Sequence, residues 1–292
     1  MRLEWGFVLA LLAGPVAGET AADCETLVQA VESLTGFGLT APPAAPEDGW
    51  CVLDDARMAG DQAPQVTATR LRLTGTQAEG ALMSLEIDGA GLRMRPALND
   101  RDMPGWLREL LRLQSAEVHL RIWRDKAADR LVLEGGRIAL SGGGELVLAA
   151  EIAGASLSSA SILTGRLTAL HLEWQNDGRT LRPGMEALGA GIRPAASGTG
   201  AVLAARDALL AVVKAVPDAS LPDDAADALA RFIAALPQGR GRLVLDLAAE
   251  AGIGAVELGL LALSDDPAGP EALGRLMAGT VLTADWQPGL AP

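Results

Sequence analysis

The sequence predicts an α+β fold: a large curved antiparallel β-sheet, built as a meander, with a helical hairpin and short packing helices. Three observations predict it. From Val66 onward most runs alternate apolar and polar residues with period two, the signature of strands with one buried and one wet face. Short glycine- and asparagine-rich breaks separate these runs, which favours antiparallel neighbours over crossovers. Two longer stretches instead repeat apolar residues at helical spacing and are joined by a proline-containing linker.

The chain opens on Met1-Arg2-Leu3, followed by an apolar run from Phe7 to Ala13 and by Gly14-Pro15-Val16-Ala17-Gly18. A basic start, a short apolar stretch and small residues behind a helix breaker predict a cleavable signal peptide over residues 1–18. Cleavage is expected before Glu19, with the bond after Ala22 as the second position. The run is well short of the roughly 20 apolar residues that a membrane-spanning helix needs. Glu4 dilutes the basic start, and the competing reading is a buried N-terminal helix of a cytosolic protein.

Cys24 to Gly36 places Leu27, Val28, Val31 and Leu34 on one helical face, with Asp23 positioned as its cap. Thr40 to Gly49 holds Pro42, Pro43 and Pro46 and reads as a loop; Trp50 to Leu53 reads as a strand. The chain has two cysteines, Cys24 and Cys51, and an even pair just behind a signal peptide predicts one disulfide. Such a bridge would pin strand to helix and contribute roughly 3 kcal/mol through the chain entropy of the unfolded state. A two-cysteine metal site is the alternative, but no histidine lies near either one. Ala21-Ala22-Asp23 before Cys24 is not a lipobox. Residues 19–65 are therefore expected to form a disulfide-stapled N-terminal helix and strand, and 66–292 a β-rich domain with a helical insertion at about 201–237.

Within that domain Thr69 to Leu73, Met83 to Asp88 and Leu92 to Arg95 alternate strictly. Val118, Leu120 and Ile122 share one face of the next strand; Glu117, His119, Arg121 and Trp123 share the other. Strands follow at Arg137 to Leu140, Glu145 to Ile152 and Arg166 to Trp174, with turns expected at Gly135-Gly136, Gly142-Gly143-Gly144 and Asn176-Asp177-Gly178. Asp102 to Leu113 reads as an amphipathic helix carrying Met103, Trp106, Leu107, Leu110 and Leu111. Ala201 to Val216 and Pro222 to Leu236 form the helical hairpin, and Ser220 and Asp223 have the spacing of a capping box. Strands resume at Arg242 to Leu247 and Val256 to Leu263, and a helix from Pro270 to Met277 precedes a last strand, Thr280 to Trp286.

The segments Val118–Asp125 and Leu170–Asp177 resemble one another. They differ by one residue between histidine and tryptophan, which puts Trp123 and Trp174 on opposite faces relative to His119 and His171.

The formal net charge of −13 argues against nucleic acid and against anionic headgroups as an electrostatic partner. His119 and His171 both fall at polar, solvent-facing strand positions, so neither is expected to be catalytic or a metal ligand. Gly154-Ala155-Ser156-Leu157-Ser158 lacks the last glycine of a nucleophile elbow, and no Ser-x-x-Lys precedes Lys126 or Lys214. Gly89-Ala90-Gly91 and Gly189-Ala190-Gly191 read as turns or bulges, and Gly252-Ile253-Gly254 as a hairpin turn. Asp54-Asp55, Asp223-Asp224 and Asp265-Asp266 lack the spacing of a calcium loop. No catalytic residue, cofactor site or metal site is therefore expected; the one assigned pair is Cys24 and Cys51.

The strand grammar of Ala68–Gly75, Leu85–Arg93 and Arg137–Gly144 resembles that of AsmA-like envelope proteins and related alphaproteobacterial periplasmic proteins of unknown function. The likeness covers roughly Val66 to Trp174 and part of Gly239 to Trp286. It implies a β-rich groove serving envelope lipid homeostasis, although relatives usually keep a membrane anchor. The expected function is thus a non-enzymatic periplasmic protein that binds lipid or another apolar ligand in a sheet groove. The alternative is a structural or interaction protein of the cell envelope that docks a protein partner.

Overall fold

The computed structural model describes residues 19–42, 44–60, 65–95, 114–178, 181–255, 257 and 270–289. The signal peptide, the helix expected at Asp102 to Leu113 and nearly all of the strand expected at Val256 to Leu263 lie outside these residues.

Among the described residues twelve strands form one open antiparallel sheet. They are β1 (Thr20–Ala21), β2 (Gly38–Thr40), β3 (Ala45–Glu47), β4 (Trp50–Ala59), β5 (Gln65–Ala78), β6 (Ala81–Arg95), β7 (Ala116–Asp125), β8 (Arg130–Leu140), β9 (Glu145–Ala153), β10 (Arg166–Asn176), β11 (Gly241–Gly254) and β12 (Thr280–Pro288). From β4 to β12 each strand pairs with the one before it in the chain, so the body of the sheet is a pure meander. The short strands β2 and β3 cover the free edge of β4, and β1 continues that edge along the end of β5. The sheet thus runs without a break across residue 65, through the pairing of β4 with β5. Asp48-Gly49 and Glu79-Gly80 both hold positive φ at two-residue hairpin tips, the turn geometry that matches strand twist.

Among the described residues six helices accompany the sheet: α1 (Cys24–Thr35), α2 (Ser159–Thr164), α3 (Leu181–Ile192), α4 (Gly198–Ala215), α5 (Asp223–Ala235) and α6 (Pro270–Leu276). The Asp23 carboxylate accepts from the Thr26 amide, as its capping position requires. The expected hairpin is α4 and α5, but Ser220 does not cap α5. Its hydroxyl donates to the Met277 carbonyl, and Pro222 occupies the cap position.

Three glycine runs are not the turns they resemble. Gly135-Gly136 lies inside β8 at a register shift against both neighbours, so it is a bulge, and one long strand replaces the short Arg137–Leu140. Gly252-Ile253-Gly254 ends β11, where Ile253 and Gly254 pair with Leu167 and Arg166. Gly189-Ala190-Gly191 is helical, in α3. A side chain at Gly189 would strike the backbone of Ala201, so glycine here permits α3 and α4 to pack in close contact. Gly89-Ala90-Gly91 does sit at a bulge, between β6 and β7.

Two hydrophobic cores form. In one, Leu27 and Val31 of α1 pack on Cys51, Leu53, Leu71, Leu73 and Leu85 of β4–β6. In the other, Met185, Val202, Phe232 and Ile233 of α3–α5 pack on Leu243 and Trp286 of β11 and β12.

Candidate apolar face between the two cores

Register shows how the two cores relate. Leu73 opposes Ile87, which opposes Leu120; Leu85 opposes Ile122, which opposes Leu133. Leu133 opposes Ala150 and then Leu170, while Leu146 opposes Trp174 and then Leu243. Leu243 in turn opposes Trp286. Directly opposed residues share a face. Both cores therefore stand on one continuous apolar face of the sheet, at its two ends.

The stretch between them is different. Leu73 and Leu85 are 0% exposed, and Leu243 and Trp286 are 4%. Val118, Leu120, Ile122, Leu133, Ile138, Leu146 and Leu148, on the same face, are all only partly buried. Among the described elements no helix packs substantially on β7, β8 or β9. Three strand spacings from β7 to β10 make this strip about 14 Å wide.

Helix-covered cores stand on either side of the strip. At one side α1 lies over β5 and touches α2, the short helix that follows β9; Leu157 beside α2 packs against the α1 core. At the other side Trp174 borders the strip and meets Phe232 edge-on at 5.8 Å, behind which Phe232 meets Trp286 at 5.0 Å.

The opposite face is polar and laced with cross-strand ion pairs. Arg72 bonds Asp88, Arg137 binds Glu145 through two nitrogens at 2.7 and 2.9 Å, and Arg242 donates to Glu173 at 2.5 Å. The Arg242 bond holds the Glu173 carboxyl down at about 2, against an ordinary 4.5. Arg72 also lies over the Trp50 ring, 4.8 Å from its centroid.

Both histidines are on this polar face. His119 Nε2 is 3.9 Å from Glu86, and His171 Nδ1 is 2.6 Å from Asp246. They stand on β7 and β10, separated by two strands, so the sheet does not bring them together. Trp123, at the register position of Ser84, shares the face of His119, whereas Trp174 faces away from His171 into the aromatic cluster. Asp54-Asp55 lies within β4 and Asp223-Asp224 in the first turn of α5. Asp265-Asp266 falls outside the described residues. Among the described residues no group of three His, Cys, Asp or Glu side chains could hold a metal. Cys24 and Cys51 are joined, with their Cα atoms 5.2 Å apart.

One residue went unnoticed in the sequence. Arg124 has the parity of Leu120 and Ile122 and opposes Leu131, so it stands on the apolar face. The alternation of β7 already carried that information, hidden because the strand ends in a run of polar residues. No family model matches the chain, and no curated protein matches it.

Proposed function

We propose that the protein is a non-enzymatic exported protein of the periplasm that binds lipid or another apolar ligand on the inner face of its sheet. The observation that carries this reading is the apolar strip over β7–β9, flanked by two helix-covered cores and left without a helix of its own among the described elements. A monomeric protein keeps few contiguous apolar surfaces of this size unless they serve binding. The Cys24–Cys51 disulfide favours an oxidising compartment. On the polar face His119 stands 3.9 Å from Glu86, His171 lies 2.6 Å from Asp246, and Glu173 is paired with Arg242, each across neighbouring strands. The likeness in strand grammar to AsmA-like envelope proteins agrees with this reading.

Two measurements test it. Protein purified from its native envelope is expected to carry a lipid identifiable by mass spectrometry, and the stripped protein to bind a fluorescent fatty acid. Failure of both sinks the reading.

A further inference from the structure

Resting on that reading, we infer that the ligand is a single-chain amphiphile with a monoanionic head of the fatty-acid type, whose carboxylate is met by Arg124. Among the described residues of β7–β10, Arg124 is the charged side chain standing at a register position of the apolar face. Its neighbours in register are apolar: Leu131, 3% exposed, directly opposite, and Ile152 one strand further. Its Nε is buried and makes no hydrogen bond. Among the described residues its one ion pair is a long hydrogen bond, 3.5 Å from the guanidinium to Asp129, and Asp129 is largely exposed.

A guanidinium placed against apolar side chains, with an unpaired buried donor, is a poor arrangement for stability alone. An incoming carboxylate supplies the missing acceptor and matches the planar fork of donors. Charge selects the head. A single guanidinium, whose long contact to the solvent-exposed Asp129 is weak, offsets at most one negative charge, and a phosphate monoester dianion would be left undercompensated there. The net charge of −13 likewise disfavours docking on an anionic bilayer surface, so a single molecule leaving the membrane is the better match.

Size selects the tail. From Arg124 to Ala116 the β7 strand runs eight residues, about 26 Å at the usual rise. Val118, Leu120 and Ile122 line this path on the apolar face. An acyl chain that fills one leaflet, roughly 15 Å of hydrocarbon, fits along it with the head at Arg124.

The experiment compares palmitate with its methyl ester, each displacing a fluorescent fatty acid from the full-length mature protein. The acid is expected to bind about tenfold more tightly than the ester, the scale of one charge-assisted hydrogen bond. Arg124→Gln is expected to abolish that preference, and Arg124→Lys to restore part of it. Equal binding of acid and ester by the wild-type protein, which involves no variant, overturns the Arg124 inference and leaves the apolar site standing. So does an acid preference that survives Arg124→Gln. If neither compound displaces the probe and the probe itself does not bind, the Arg124 inference falls, and the proposed function falls with it when the protein from its native envelope also carries no lipid.

Discussion

The two ends of the sheet solve the same problem differently. Each must cover part of one apolar face. At the β4–β6 end a single helix, α1, does so with two fully buried side chains, Leu27 and Val31, and a disulfide ties it to β4. At the β11–β12 end, three helices stack into a layer with an aromatic chain of Trp174, Phe232 and Trp286 at its base, and the Cys24–Cys51 bridge lies in the other core. The difference teaches that a 12-residue helix buries too little area to hold itself down, so its docking is made partly covalent. A helical layer that interlocks through Gly189 and Phe232 buries enough without one. Between these solutions lies a strip on which, among the described elements, no helix packs substantially.

The largest effect should come from breaking the layered end. Phe232→Ala removes the ring between two tryptophans and is expected to lower the unfolding free energy by about 3–5 kcal/mol in urea titration. Next, replacing both Cys24 and Cys51 by Ala removes a cross-link spanning 27 residues of sequence, an expected loss of about 3.5 kcal/mol in the same titration. If hydrogen exchange then rises in α1 and β4 while α4 and α5 stay protected, the two cores are separate units. Uniform loss of protection would show a single cooperative core.

The strip sharpens the contrast. Leu148→Ser is expected to cost about 1–2 kcal/mol, because its side chain is only partly buried. The same change at Leu85, which is fully buried, should cost about 2–5 kcal/mol. Leu148→Ser should nevertheless weaken displacement of the fluorescent fatty acid, and a variant that loses stability without losing binding would argue against the strip as a ligand surface.

The smallest effect belongs to the polar face. Glu173 is held at about 2 in the folded protein, chiefly by the hydrogen bond from Arg242, so the folded state favours its ionised form. Its contribution is full above pH 4.5 and is lost as pH falls toward 2. Solvent around the half-exposed Arg242 keeps that contribution below about 1 kcal/mol. Glu173→Gln should flatten this part of the stability–pH curve, measured by thermal melts between pH 5 and about pH 2.

Legibility in the sequence followed the range of the interaction. Asp23 capping α1, the alternation of β5 to β7 and the period of α4 and α5 are local, and each was readable within one or two turns of chain. Gly189 was not, because a glycine that admits a second helix looks like a glycine that makes a turn. Ser220 was misread for a related reason: its spacing fits a capping box, but Met277, 57 residues away, takes its hydroxyl. Leu181–Ile192 carries an apolar face as pronounced as that of α1, but Pro183, Gly184, Gly189 and Gly191 mask it with helix-breaking residues, and the helix packs against α4.

By itself the sequence determined the fold class, the strand order of a meander and the Cys24–Cys51 pair, since alternation, short turns and an isolated cysteine pair leave few arrangements. The tertiary structure alone decided that both cores occupy one face of the sheet, that the strip between them lacks a helix among the described elements, and that Arg124 stands on it. Side-chain parity is written in each strand, but which faces are joined depends on register and bulges, and which are covered depends on where distant helices dock.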